Sequence, residues 1–229
     1  FFFFPAIIIG TINMGSCARK GVLPMTPYLL EVLLRALILV AVIPIHECAH
    51  GLAASWMGDY TAYDKGRVTL DPRAHLDPAG SLMLLVAGLG WAKPVPIDPG
   101  NFRRPKLGMA LTALAGPLAN ILLALVLMVL YKLLLAAGVV SGMVYLVLGI
   151  IIQITVHLAV FNLIPIPPLD GSRLLTAILP DRLYYTIMRY ERVVMGVMML
   201  ALFTGILNLP IGGIADAILL LLDRLTFFL

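Results

Sequence analysis

Apolar residues in this chain fall in long unbroken runs, and the length of each run decides what it can do. Residues 28–57, 107–131 and 142–164 each read as a helix long enough to cross a bilayer. Residues 81–90 are as apolar but only about ten long, so a re-entrant or surface-lying segment is expected there. Two later runs, 193–209 and 211–222, meet at Pro210. Asp216, Asp223 and Arg224 interrupt the second, which predicts one full span and one interfacial segment.

Polar stretches separate these runs. Between residues 58 and 79, Tyr60–Tyr63 and Arg67–Leu70 are short β-prone runs joined by Asp64-Lys65-Gly66, a pattern that predicts a β-hairpin. Downstream, Pro94, Pro96 and Pro99 exclude a helix or a central strand but permit an extended edge over 93–98. The expected fold class is therefore an all-α multi-pass membrane protein. It is a helical bundle of about four to six transmembrane segments with a small β-hairpin and edge-strand element.

Composition agrees with a bilayer setting. Hydrophobic residues make up 61% of the chain and charged ones 12%, against about a quarter in soluble domains. Residues 28–229 read as one domain, with its functional core at about 28–180. Residues 1–27 are set apart: their apolar part is too short to span, Met25 offers an alternative start, and no functional argument uses them. The net charge of +4 comes with no run of basic residues interleaved with aromatics, so nucleic acid is not expected as a partner. Basic residues gather instead at 58–106 (Lys65, Arg67, Arg73, Lys93, Arg103, Arg104, Lys106) and 173–192 (Arg173, Arg182, Arg189, Arg192). The positive-inside rule places both loops, and the polar element with them, in the cytoplasm.

Within the first span lies His46-Glu47-Cys48-Ala49-His50. Residues i and i+4 share a helix face, so both imidazoles can bind one cation. Glu47 is then placed to take a proton from water on that metal without being a ligand. Cys48 points to another face and reads as packing, and two cysteines imply no disulfide framework. Ionisable groups at membrane depth are costly, which argues against a chance match. Zinc still needs a third protein ligand. Asp170 follows three prolines in Pro165-Ile166-Pro167-Pro168-Leu169-Asp170-Gly171, where it either caps the next helix or completes a His-His-carboxylate site. Asn162 is near enough in sequence to reach the same cavity. Gly116 and Asn120, one turn apart, read either as helix packing or as contacts to substrate. His75 reads as a solvated surface histidine and His157 as packing.

Together, His-Glu-Cys-Ala-His-Gly in a membrane helix, Gly-Trp-Ala-Lys-Pro-Val-Pro-Ile-Asp-Pro, Ala-Gly-Pro-Leu-Ala-Asn and Phe-Asn-Leu-Ile-Pro-Ile-Pro-Pro-Leu-Asp-Gly-Ser-Arg resemble the site-2 protease family of intramembrane zinc metalloproteases. The likeness covers about residues 28–180 and is nearest to compact bacterial or archaeal members, which carry neither PDZ nor CBS domains. The resemblance implies one zinc ion held by His46, His50 and Asp170, with Glu47 as catalytic base. It implies Asn162 at the oxyanion, Gly116 and Asn120 lining the site, and a single-span membrane protein as substrate. The 60–70 hairpin and the 93–98 edge, the latter including Lys93 and Val95, would bind an unwound substrate as an added strand. The alternative is a non-enzymatic membrane carrier of zinc or another divalent cation. That function predicts an inverted repeat or paired broken helices, of which the sequence shows neither.

Overall fold

The structure, a computed structural model, describes residues 27–228 apart from 89, 139–141, 205 and 207. The segment set apart above therefore lies outside the described residues, except for Pro27. The first span is a rod in three parts: α1 (Pro27–Leu37), a π-helical turn (Ile38–Val42) and α2 (Ile43–Met57). Pro44 accounts for the wide turn, because its ring has no N–H to offer the preceding turn and crowds the carbonyl four residues back. Widening to π spacing absorbs that misfit just ahead of His46.

Four short elements follow: α3 (Thr61–Asp64), α4 (Pro72–His75), α5 (Pro78–Ala87) and a 3₁₀ turn at Pro99–Asn101. The long α6 (Pro105–Ala137) and α7 (Gly142–Asn162) come next, then α8 (Asp170–Ile178), α9 (Asp181–Arg189), α10 (Glu191–Phe203) and α11 (Asn208–Leu225). Three helical stretches are long and apolar enough to cross a membrane: Glu31–Met57, Pro105–Ala136 and Gly142–Asn162. The expected four to six are not reached among the described residues. Helix α10 has 13 residues, about 20 Å of rise against a hydrocarbon core of about 30 Å. Helix α11 is interrupted by Asp216, Asp223 and Arg224.

The expected β-hairpin at 60–70 is not there, and no sheet forms among the described residues; Leu76 and Ala92 make an isolated antiparallel bridge. The cause is local. The Asp59 carboxylate accepts the Thr61 N–H at 3.0 Å and its hydroxyl as well, which turns the chain into α3, and Gly66 closes the loop at φ 64°. Segment 93–98 forms neither helix nor strand and pairs with no strand among the described residues; Asp98 at its end has extended backbone. His75 also departs from expectation: it is fully buried, its Nε2 donating to the Thr69 carbonyl at 2.8 Å, because the chain at 92–93 folds back over it.

Packing brings α2, α6, α7 and α8 around one centre. Helix α6 turns Gly108, Thr112, Gly116, Asn120 and Ala124 inward, four residues apart, and this stripe of mostly small residues lets α2 approach closely. Its other face exposes Leu111, Leu118, Leu122, Val126 and Leu133, a surface suited to lipid rather than water. Arg35, buried in the first span, is paired with Glu31 and donates to the Leu85 carbonyl at 2.8 Å, tying down the C-terminal end of α5.

Candidate metal centre

Helix α2 fixes the first two groups. His46 and His50 are 2% and 4% exposed, and their Nε2 atoms lie 2.9 Å apart. Asp170 comes from 124 residues away in sequence, yet its Oδ2 lies 3.2 Å from the Nε2 of each histidine. The structure thus brings His46, His50 and Asp170 together, and the helix-cap alternative for Asp170 drops out, since its carboxylate caps nothing. Gly171 makes the placement possible. A side chain there would sit 2.3 and 2.4 Å from the carbonyls of Leu163 and Ile164, so only glycine lets α8 start against the end of α7.

The donor chemistry fits zinc. His50 Nδ1 lies 2.7 Å from the Thr112 carbonyl, which can only accept, so Nδ1 carries the proton. With Nε2 as a metal ligand the ring is neutral, and its lone pair points where another imidazole nitrogen and a carboxylate oxygen also converge. Three lone pairs converging in a buried place repel one another unless a cation lies among them. Their separations approach the edge of a tetrahedron with bonds of about 2.0–2.1 Å, roughly 3.3 Å. The amide of Asn120 lies 3.0 Å from His46 Nδ1. With His46 Nε2 ligating, Nδ1 donates, and the Asn120 oxygen, otherwise buried without a partner among the described residues, is the matching acceptor after a 180° turn of the amide. Asn120→Ala is therefore expected to weaken zinc binding about tenfold to a hundredfold, measurable by competition with a chromogenic chelator.

A cavity of about 40 Å³ adjoins the cluster, lined by Glu47, His50, Pro94, Val95, Ile97, Asn162, Pro168, Asp170 and Arg173. Glu47 is 1% exposed, and neither of its carboxylate oxygens has a hydrogen-bond partner among the described residues. Asn162 is fully buried; its amide nitrogen donates to the Leu158 carbonyl at 3.0 Å, and its oxygen has no partner among the described residues. Val95 lines the cavity, whereas the Lys93 side chain is exposed and does not. Asn120 meets His46 at Nδ1, on the side of the ring away from the cluster, and Gly116 abuts the Nε2 atoms of both histidines; neither lines the cavity. His157 is not part of the cluster and bonds within its own helix, to the Gln153 carbonyl. Sequence reasoning passed over Arg173 as one more basic loop residue, although its position three after Asp170 puts both on one helix face. It also passed over Thr112, which the four-residue spacing to Gly116 and Asn120 pointed to.

This centre defines a class, that of metallopeptidases with a carboxylate beside a His-His-acid donor set, and comparison with known proteins agrees. The chain is 40% identical over 164 residues to a Bacillus subtilis protein named "Putative zinc metalloprotease YwhC", covering 69% of this chain and 72% of that one. It is 34% identical over 134 residues to the similarly named Rip2 of Mycobacterium tuberculosis, covering 56% of this chain and half of that relative's length. No family model matches the chain, and no solved structure matches it. The chain belongs to the site-2 protease-like family of zinc metalloproteases.

Proposed function

We propose that the protein is an intramembrane zinc metalloprotease that hydrolyses a peptide bond in or near the transmembrane helix of a single-span membrane protein. The observation that carries this reading is Glu47, a buried carboxylate without a hydrogen-bond partner that opens onto the same cavity as His50 and Asp170. A buried polar group left unpaired is a rarity that calls for a use. His46, His50 and Asp170 hold one zinc per chain, which when bound supplies a Lewis acid to polarise the scissile carbonyl and acidify water. Glu47 accepts the proton of the attacking water and delivers it to the leaving amine. Asn162 turns its remaining amide N–H toward the developing oxyanion.

The substrate's transmembrane helix hides its carbonyls, so it unwinds and lies along 93–98 as an added strand, with Val95 facing the cavity and Lys93 at its outer end. A cavity of about 40 Å³ has room for about one water and not for a peptide. Entry of the substrate therefore parts Pro94–Ile97 from Pro168–Arg173. Residues 28–229 work as one multi-pass domain in the cell membrane, with both basic loops and the active site on the cytoplasmic side.

The test is incubation of the detergent-solubilised protein with a panel of single-span polypeptides, with and without a chelator. Cleavage within or beside the transmembrane segment is expected, abolished by the chelator and restored by zinc. Cleavage confined to soluble peptides overturns the intramembrane reading, and zinc passage across liposomes without any cleavage favours the carrier.

A further inference from the structure

Two buried charged side chains outside the metal centre converge on the extended segment that flanks it. The guanidinium of Arg67, 7% exposed, donates to the Lys93 carbonyl at 2.6 Å and the Pro94 carbonyl at 3.1 Å. At the far end Asp59, fully buried, accepts the Asp98 N–H at 2.8 Å and the Asn101 amide at 3.0 Å. Burial works against the charge on Asp59, but hydrogen bonds from Asn101, Thr61 and Asp98 hold its carboxyl below the usual range. A further tie runs from the Lys93 N–H to the His75 carbonyl at 2.8 Å.

Between these ties lie Val95, Pro96 and Ile97. Val95 and Ile97 line the cavity beside Glu47, and their backbone N–H and C=O groups have no hydrogen-bond partner among the described residues. Prolines 94 and 96 have no N–H, so this stretch offers two amide donors. A lone extended segment has no sheet to hold its shape. Here the shape is held by side chains from the loop after α2. Burying an arginine and an aspartate is costly unless their hydrogen-bonding capacity is used: Arg67 gives both of its hydrogen bonds to this main chain, and Asp59 holds the Asp98 N–H while Thr61 and Asn101 take up its other oxygen. The planar fork of Arg67 spans two successive carbonyls, which a lysine cannot reproduce.

We propose that Arg67 and Asp59 are positioning residues that hold 93–98 in register for an incoming substrate strand, an inference that rests on the strand-addition reading above. They touch neither the metal ligands nor the cavity; they act through the edge they hold.

The experiment uses the full chain and a single-span polypeptide that the wild-type protein cleaves, carrying a fluorophore and a quencher on either side of its transmembrane segment. Arg67→Gln is expected to raise KM about tenfold, with kcat within about twofold and zinc content unchanged. Arg67→Lys falls between the two. Val95→Pro removes one amide donor from backbone already flanked by prolines, and is expected to raise KM by a similar factor. If Val95→Pro leaves KM unmoved, strand addition itself is wrong, and the proposal goes with it. If Val95→Pro raises KM while Arg67→Gln does not, strand addition stands and the positioning role alone is overturned. A loss of zinc and kcat in step with KM marks Arg67 as mere scaffold, which also overturns the proposal. Should Arg67→Gln fail to fold, Asp59→Asn decides: its single oxygen goes to the Thr61 and Asn101 donors, which leaves the Asp98 N–H facing an amide NH2 in place of an acceptor, and it must give the same KM-only effect.

Discussion

Glu47→Gln is expected to leave the bundle folded and the zinc bound while cleavage of a single-span substrate falls by about 10²–10⁴-fold. The three atoms that converge on the metal position belong to His46, His50 and Asp170, and Glu47 contributes none of them. Its side chain faces the cavity, so an isosteric amide keeps the shape of that wall and loses only the capacity to take a proton. Stability is expected to hold or rise, because glutamine removes a carboxylate that is buried without a partner. A slower enzyme that is no less stable is the signature of a residue kept for chemistry rather than for folding. Metal analysis, a thermal melt and initial rates on one preparation read all three quantities. A variant that cuts at the wild-type rate removes Glu47 as the base, and one that loses zinc makes it part of the metal shell.

Much of this arrangement was legible in the chain because it depends on local pattern. Runs of apolar residues set the three long helices, and the spacing of His46 and His50 sets their shared face whatever the rest of the protein does. Pro94 and Pro96 kept 93–98 free of helix, as their chemistry requires, and Pro99 opens the 3₁₀ turn that ends it. What failed was inference from local propensity where a side chain intervened. Tyr60–Tyr63 has strand-forming residues, but Asp59 sits just ahead of them and its hydrogen bonds to Thr61 favour a helical turn. Burial of charged and polar residues in the loops was not legible either. His75 lies in a polar stretch, and only the return of the chain at Ala92–Lys93 covers it. Arg67 is one basic residue among many, and nothing adjacent to it distinguishes a cation that turns inward; Arg173 carried one signal, its spacing of three from Asp170. The pairing of Asp170 with the histidines lay between these extremes. Its proline-rich setting marked it as unusual, but convergence across 124 residues belongs to the packing of α2, α7 and α8 against α6.

Gly116→Ala is expected to cost more than any substitution outside the four catalytic and ligating residues. A β-carbon at position 116 would lie 2.4 Å from His50 Nε2 and 2.6 Å from His46 Nε2, well inside contact distance of the two atoms that meet the metal. Neither imidazole has room to retreat. His50 is held by the Thr112 carbonyl and His46 by Asn120, both on the same α6 face as Gly116, so the histidines and the glycine are fixed to one another by a single helix pair. The added methyl must push α2 from α6 or rotate both rings off their partners. Overpacking of this kind costs about 1–3 kcal/mol of stability, which a helical membrane bundle survives. Loss of ligand geometry is the larger effect: zinc affinity is expected to fall by more than about a hundredfold, beyond the loss of one supporting hydrogen bond. Gly108→Ala provides the contrast. It lies on the same stripe two turns earlier, where a β-carbon meets the Phe102 side chain instead of a ligand, so it is expected to lower the melting temperature while zinc stays bound. Equal zinc affinity in the Gly116→Ala and wild-type proteins means the histidines do not face α6 as described, and the donor triangle built on that face falls with it.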